Sequence, residues 1–347
     1  MCGLPRPGGV DGDSAYDERV LLDTFGRVAT DLRVSLTDRC NLRCTYCMPA
    51  EGLDWLPSPQ MLTDDEVVRA VTVAVGLGVT EVRFTGGEPL LRKGIVDIVT
   101  RVGQLSPRPR MSLTTNGIGL ARTASALKAA GLDRVNVSLD TLDRDRFVAL
   151  AKRDRLADVV AGLEAAAEAG LTPVKVNALL MRGVNDDEAS ILLLWCLARG
   201  YELRFIEHMP LDAQHAWDRS TMVTAAQILA RLQTDFDLVP DSAEHRGSAP
   251  AQTWVVDGGP GRVGIIASVT QPFCGNCDRV RLTADGQIRN CLFATGETDL
   301  RTPMRAGADD EALGALLKAA LWAKKAGHGI DDPAFLQPVR PMSAIGG

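Results

Sequence analysis

From residue 32 onward, short β-branched runs alternate with amphipathic helical stretches, and this switch between a two-residue and a 3.6-residue period restricts the chain to a parallel sheet with right-handed crossovers. Predicted strands fall at 32–36, 81–85, 111–115, 134–139, 174–180 and 202–207. Helical segments lie between them near 64–77, 93–104, 119–130, 155–169 and 186–199. Thr63 with Glu66 makes a capping box at one helix start, and Asn185 leads an acidic first turn at another. Six strands are too few to close an eight-stranded barrel. The expected architecture is therefore an α/β partial (βα)6 barrel of TIM-like type, curved and laterally open, rather than a flat doubly wound sheet. In both, ligands bind at the carboxyl ends of the strands. Polar and glycine residues gather there: a cysteine loop after strand one, TGGEP after strand two, TTNG after strand three, Ser138 and Asp140 after strand four, and Glu207 to Pro210 after strand six.

Beyond about residue 211 the pattern changes. A polar connector leads to a helix near 222–233, short strands at 253–256 and 262–266, a second cysteine set and a helix near 309–325. The expected division is a flexible extension over 1–25, the barrel over 26–211, and a C-terminal subdomain over 212–347 that ends in Gly346-Gly347. The first twenty residues lack the apolar core of a secretory signal. The longest apolar runs are about half of what a bilayer span needs, so no membrane segment is expected. A formal net charge of -6 over 347 residues disfavours nucleic acid and anionic membranes as general partners. Eight cysteines without a signal peptide point to a reducing cytoplasm and metal binding. Cys2 sits in the extension, and Cys196 in an apolar helix reads as an inert buried thiol.

Cys40, Cys44 and Cys47 stand at C-x-x-x-C-x-x-C spacing. A [4Fe-4S] cluster takes a thiolate on each iron, so three thiols leave one iron open to a reacting ligand. The alternative is a zinc site closed by a distant histidine, the first in the chain being His208. Cys274, Cys277 and Cys291 repeat the shortfall, a C-x-x-C pair joined by a third thiol that a hairpin around Asp285-Gly286 brings back. A second open cluster and a zinc ribbon short of one ligand are the two readings. Arg279 and Arg281 alternate along the strand leaving Cys277; beside a metal site they form an anion pocket, and otherwise a solvated strand face.

Together with Tyr46 and the TGGEP run, the first triad resembles the signature of the radical S-adenosylmethionine (SAM) superfamily. The wider set LRVSLTDRCNLRCTYCMP, RFTGGEPLLR, TTNG, NVSLD, VKVN, LRFIEHMP, FCGNCDRVRLTADG, CLF and the Gly-Gly terminus is similar to the GTP 3′,8-cyclase family of molybdenum cofactor biosynthesis. The resemblance implies two [4Fe-4S] clusters, one on Cys40, Cys44 and Cys47 and one on Cys274, Cys277 and Cys291. It implies SAM contacts from Tyr46, Gly87, Ser138 and Met209. GTP contacts would come from Arg33, Arg83, Thr114, Lys175, Arg279, Val280 and Arg281. The implied reaction is radical cyclisation of GTP to (8S)-3′,8-cyclo-7,8-dihydroguanosine 5′-triphosphate. The implied partners are an electron donor of flavodoxin or ferredoxin type and the cyclic pyranopterin monophosphate synthase that takes the product, with a homodimer left open. Asp278 and His208 depart from the family pattern, and Asp278 would place negative charge near the triphosphate. The tail is expected to enter the active mouth. A radical SAM peptide maturase is the enzymatic alternative, and an iron-sulfur carrier or zinc-stapled binding module the non-enzymatic one.

Overall fold

A computed structural model describes residues 20–242 and 246–346. Cys2, Gly347 and residues 1–19 of the expected extension lie outside them. The part of that extension within them is packed. Leu21 is fully buried, Leu22 bridges Val28, and Asp23 takes a 2.6 Å ion pair from Arg27. Arg27 in turn donates to the carbonyls of Cys274, Lys325 and Ala326, which pins this segment to the second cysteine set.

In chain order the strands are β1 (Asp31–Ser35), β2 (Glu81–Thr85), β3 (Arg110–Thr115), β4 (Arg134–Ser138), β5 (Lys175–Leu179), β6 (Glu202–Ile206), β7 (Leu238–Pro240), β8 (Gln252–Val256), β9 (Arg262–Ile266), β10 (Arg279–Leu282), β11 (Gln287–Arg289) and β12 (Thr298–Asp299). The helices are α1 (Asp64–Gly76), α2 (Ile95–Gly103), α3 (Leu120–Ala129), α4 (Arg144–Ala151), α5 (Leu156–Glu168), α6 (Ala189–Leu197), α7 (Ala225–Leu232), α8 (Arg301–Arg305), α9 (Asp310–Trp322) and α10 (Met342–Ile345). They form one sheet of order β12-β11-β10-β1-β2-β3-β4-β5-β6-β9-β8-β7. β1 to β6 are the six strands expected, each within a residue or two. Two further parallel strands flank them, β10 beside β1 and β9 beside β6. The sheet then runs on antiparallel at both margins instead of joining β9 to β10, so the layout stays open.

The capping box forms as expected: Thr63 Oγ1 accepts from the Glu66 amide, and Glu66 accepts from the Thr63 amide at 2.7 Å. The reading of Asn185 as a helix lead is corrected. α6 begins at Ala189, and Asn185 is fully buried, donating to the carbonyls of Asp140 and Leu179 and accepting from the Met181 amide. A side chain with three backbone partners at the ends of β4 and β5 has nothing left for a helix start. Among the described residues no helix is long and apolar enough to cross a membrane.

Alternation along the strands sorts the two faces. Leu32, Val34, Val82, Phe84, Val135, Val137, Leu203 and Phe205 pack outward into the hydrophobic core with the helices. The intervening residues are polar or charged, although parallel strands buried on both faces are usually apolar throughout. Register then lines up guanidiniums. Arg281 on β10 pairs with Arg33 on β1, and Arg33 pairs with Arg83 on β2. Like charges on neighbouring strands repel, so this row marks the sheet interior as a place built for an anion.

Candidate active site

The loop between β1 and the Pro49 turn is held by backbone contacts rather than regular structure. The Arg43 and Thr45 amides donate to the last carbonyls of α4, Ala151 and Leu150, at 2.9 and 3.0 Å. Arg43 also reaches the Cys40 carbonyl at 2.7 Å. The Cys47 amide donates to the Cys44 carbonyl, which closes the turn carrying the triad. All three thiols, with Tyr46, Gly87 and Ser138, line a cavity of about 160 Å³. Burial pushes each thiol up, Cys47 to about 12, and a bound metal would favour the thiolate against that burial.

TGGEP packs against this loop from β2. The Gly87 amide donates to the Thr37 carbonyl at 2.8 Å and the Glu88 amide to the Arg39 carbonyl at 2.7 Å. A Cβ on Gly87 would stand 2.4 Å from the carbonyl oxygens of both Asp38 and Arg39, so only glycine allows the approach. Glu88 is buried and pushed up to about 7 by that burial, against hydrogen bonds from Thr115 and the amides of Asn116 and Leu90. Opposite, Tyr46 donates to Asp140 at 2.6 Å, and Asp140 also accepts from the Leu179 amide.

The second triad lines a cavity of about 180 Å³ with Arg33, Arg83, Thr114, Met209, Arg279 and Arg281. Thr114 also belongs to the wall of the first cavity, so the two adjoin. Met209, expected against SAM, therefore sits in the wall of the second cavity. The Asp-Gly hairpin forms with Gly286 in the left-handed region, and β10 and β11 pair antiparallel so that Cys291 returns beside Cys277. Arg33 is driven well below its usual value by burial and by Arg83 and Arg281. Asp31 provides counter-charge, 3.9 Å from both Arg33 and Arg83. The Nε donors of Arg33, Arg83 and Arg204 and the Oδ1 acceptor of Asn177 are buried without a hydrogen-bond partner. Buried polar atoms left this way are costly unless a ligand takes them.

Two expected GTP contacts are not among these walls. Val280 lies wholly in the hydrophobic core, because alternation that brings Arg279 and Arg281 inward turns it outward. Lys175 opens β5 and bonds Glu202 at 2.8 Å. Arg204 and Asn177, which sequence reasoning did not select, do line the second cavity. Their signal was strand parity, since each lies two residues beyond a charged inward position, Glu202 or Lys175. The Asp278 carboxylate accepts from the Thr30 hydroxyl at 3.1 Å and lies 3.8 Å from Arg279 Nη2, so its negative charge sits beside one of the cavity's guanidiniums. His208 is buried edge-on between Tyr46 and Trp217, and burial draws its imidazole below the usual value against the opposing charge of Asp212.

The C-terminal segment enters the mouth. Arg340 bonds both carboxylate oxygens of Asp285 and reaches Glu297 at 2.7 Å. The Met342 amide donates to the Leu211 carbonyl, Ile345 packs with Leu211 and Phe293, and Arg281 donates to the Gly346 carbonyl. Met342 lines both cavities.

Among the described residues no three His, Cys, Asp or Glu side chains converge as the ligands of a single ion would. The thiols of each triad instead ring a cavity, an arrangement suited to a cubane that takes each ligand on a separate iron. None is in a disulfide. The donor sets therefore fit iron-sulfur clusters, each of which three thiols would hold, leaving one iron without a protein thiol.

A parallel sheet with a three-thiol loop at the end of its first strand and a glycine turn after its second is the layout of a radical SAM enzyme. The family model for the Radical SAM superfamily matches residues 34–196, and that for Molybdenum Cofactor Synthesis C matches residues 201–330. The solved structure of Streptococcus suis SuiB bound to S-adenosylmethionine aligns with a TM-score of 0.57 at 14% identity, covering 84% of this chain and 68% of that one. A GTP 3′,8-cyclase from Streptomyces coelicolor is 69% identical over 94% of this chain and 96% of its own length. GTP 3′,8-cyclase 2 from Mycobacterium tuberculosis is 61% identical over 94% and 92%. The chain belongs to the GTP 3′,8-cyclase family.

Proposed function

We propose that this chain cyclises GTP to (8S)-3′,8-cyclo-7,8-dihydroguanosine 5′-triphosphate, the first step of molybdenum cofactor biosynthesis. The observation that carries the reading is the pair of adjoining cavities: one lined by thiols and close-packed backbone, the other by thiols and guanidiniums with unpartnered buried donors. Cys40, Cys44 and Cys47 hold the first [4Fe-4S] cluster, and Cys274, Cys277 and Cys291 the second. When bound, the clusters and SAM supply the radical that removes hydrogen from the ribose 3′ carbon and the electrons that open and close the reaction.

This chain's own residues bind, orient and exclude water. Gly87 brings the TGGEP backbone against the cluster loop, where SAM's amino group finds acceptors, and Ser138 and Tyr46 face the rest of that ligand. Asp140 fixes the Tyr46 ring through its hydroxyl. Arg33, Arg83, Arg279 and Arg281, with Arg204, grip the triphosphate, and Thr114 stands at the boundary between the two ligands. Met209 and Met342 line the second cavity with apolar surface, and a water-poor site protects a reactive radical. Val280 contributes backbone only. The external electron comes from a flavodoxin- or ferredoxin-type donor, the product passes to the cyclic pyranopterin monophosphate synthase, and the reaction runs in the cytoplasm. Ile191 and Leu194 of α6, 58% and 57% exposed, are surface that a homodimer would cover.

Anaerobic reconstitution followed by reaction with reductant, SAM and GTP tests the reading. About eight irons per chain are expected, with 5′-deoxyadenosine and a GTP-derived product formed together. Deoxyadenosine without any product from GTP, both clusters being intact, would overturn it in favour of a peptide maturase.

Lys175 adds a pH dependence. Burial, helped by Arg204 and opposed by Glu202, draws its ammonium down to about 8. Below that pH the side chain is charged and favours a bound triphosphate; above it the charge is lost. GTP affinity, followed by equilibrium binding, should be level below pH 8 and fall by up to about tenfold per unit above it. Lys175→Met should bind GTP more weakly and show no such fall. A wild-type profile that stays level through pH 9 would exclude Lys175 from the triphosphate's field.

A further inference from the structure

Lys324 lies two residues beyond the end of α9 and is 5% exposed. Its ammonium donates to the carbonyl of Cys277 at 3.0 Å, to the carbonyl of Arg279 at 2.9 Å and to the Cys277 sulfur at 3.5 Å. No carboxylate among the described residues forms an ion pair with it. Burying an ammonium without an opposite charge is strongly unfavourable, so the partner has to be the sulfur. The surroundings hold it in place: Asn290, just before Cys291, donates to the Ala320 carbonyl of α9 at 2.8 Å, and the Lys324 amide returns to Leu321.

A [4Fe-4S] core on three thiolates carries net negative charge, and reduction adds another. Hydrogen bonds to sulfur and nearby charge are among the factors that set such a couple's potential. Resting on the assignment of the second cluster to Cys274, Cys277 and Cys291, we propose that Lys324 is a positioning residue for that cluster: it fixes Cys277 through sulfur and two flanking carbonyls, and raises the cluster's reduction potential by stabilising the reduced form. It lines neither the first nor the second cavity, so its influence on turnover passes through the cluster and not through SAM or GTP.

The test is a potentiometric titration of the anaerobically reconstituted full chain, followed by electron paramagnetic resonance and accompanied by an iron count. Signals are assigned to the second cluster by comparison with a variant in which Cys40, Cys44 and Cys47 are Ala. Lys324→Met and Lys324→Gln should shift the second cluster's reduced-to-oxidised ratio at a given potential at least tenfold toward oxidised, about 59 mV for a one-electron couple. The first cluster's midpoint should not move. Lys324→Arg should restore most of the shift, which a purely structural role would not predict. Loss of about four irons per chain from the Met and Gln variants but not from the Arg variant would equally support a requirement for charge. Midpoints unchanged in both neutral variants with about eight irons bound would overturn the proposal, as would loss of the cluster from all three. A wild-type chain that itself binds only about four irons would instead refute the second-cluster assignment.

Discussion

Gly87→Ala is expected to lower SAM cleavage by about 100-fold or more, because misplacement of roughly 1 Å near a reacting centre carries a cost of that order. A Cβ there meets the Asp38 and Arg39 carbonyl oxygens at 2.4 Å and the Arg39 carbonyl carbon at 2.7 Å. Those atoms are backbone and cannot rotate aside as a flexible side chain would. They are also tied to the same turn, through the Gly87 amide on Thr37 and the Glu88 amide on Arg39. Either the TGGEP turn or the segment leading into Cys40 must shift, and both outcomes would disturb the place proposed for SAM beside the first triad. The clash involves only Asp38 and Arg39, and Gly87 does not line the second cavity, so about four irons should remain there whatever happens at the first. Deoxyadenosine formation and the SAM-induced change in the first cluster's resonance are the measurements. Gly76→Ala is the control: its Cβ would meet nothing within 4 Å, its backbone needs no positive φ, and alanine near a helix end is neutral to mildly stabilising. Wild-type cleavage rates in Gly87→Ala would remove the close approach from the account of the site.

The sequence disclosed the barrel because β1 to β6 recur with helical stretches between them and all but β5 are followed directly by a polar or glycine run at the same end. Other elements carried weaker local signals. α4, RDRFVALA, is short and charged and was not among the predicted helices, yet its terminal carbonyls hold the cluster loop. β9 was expected as a strand but not as a neighbour of β6, and β10 not as a neighbour of β1, because pairing across such sequence separations leaves no periodic trace. The same blindness affected the site. Arg204 was not selected from the sequence; it approaches Glu202 to 3.8 Å, but it also bonds Asn136 and faces the anion cavity. Asn185 resembled a helix lead because Asn followed by three acidic residues is an ordinary start signal; its burial against β4 and β5 was invisible. The tail was legible only through resemblance. Without the Arg340 contacts to Asp285 and Glu297, a terminal SAIGG would be expected to fray.

Arg281→Ala should weaken GTP binding by about 30-fold to 1,000-fold, the range for removing one partner of a buried charge-assisted contact worth roughly 2 to 4 kcal/mol. Arg281 is buried on β10, stands in register with Arg33 and Arg289, and is drawn down to about 10 by burial, with Arg279 adding to the fall and Cys291 opposing it. It also donates to the Gly346 carbonyl, so its removal frees the tail from the mouth in the same step. The effect on folding should have the opposite sign or be small. Four guanidiniums, Arg33, Arg83, Arg279 and Arg281, crowd around Asp31, with Asp278 a second carboxylate 3.8 Å from Arg279. Deleting one relieves repulsion that the free enzyme tolerates in order to hold an anion, a trade of stability for function common at binding sites. Thermal unfolding of Arg281→Ala should therefore match or exceed the wild type while its GTP dissociation constant rises. Arg281→Lys keeps the charge but loses the planar fork, and should fall between the two. Parallel losses of stability and affinity would show that Arg281 supports the sheet rather than the substrate, and an unchanged dissociation constant would remove the register row of arginines from the triphosphate site.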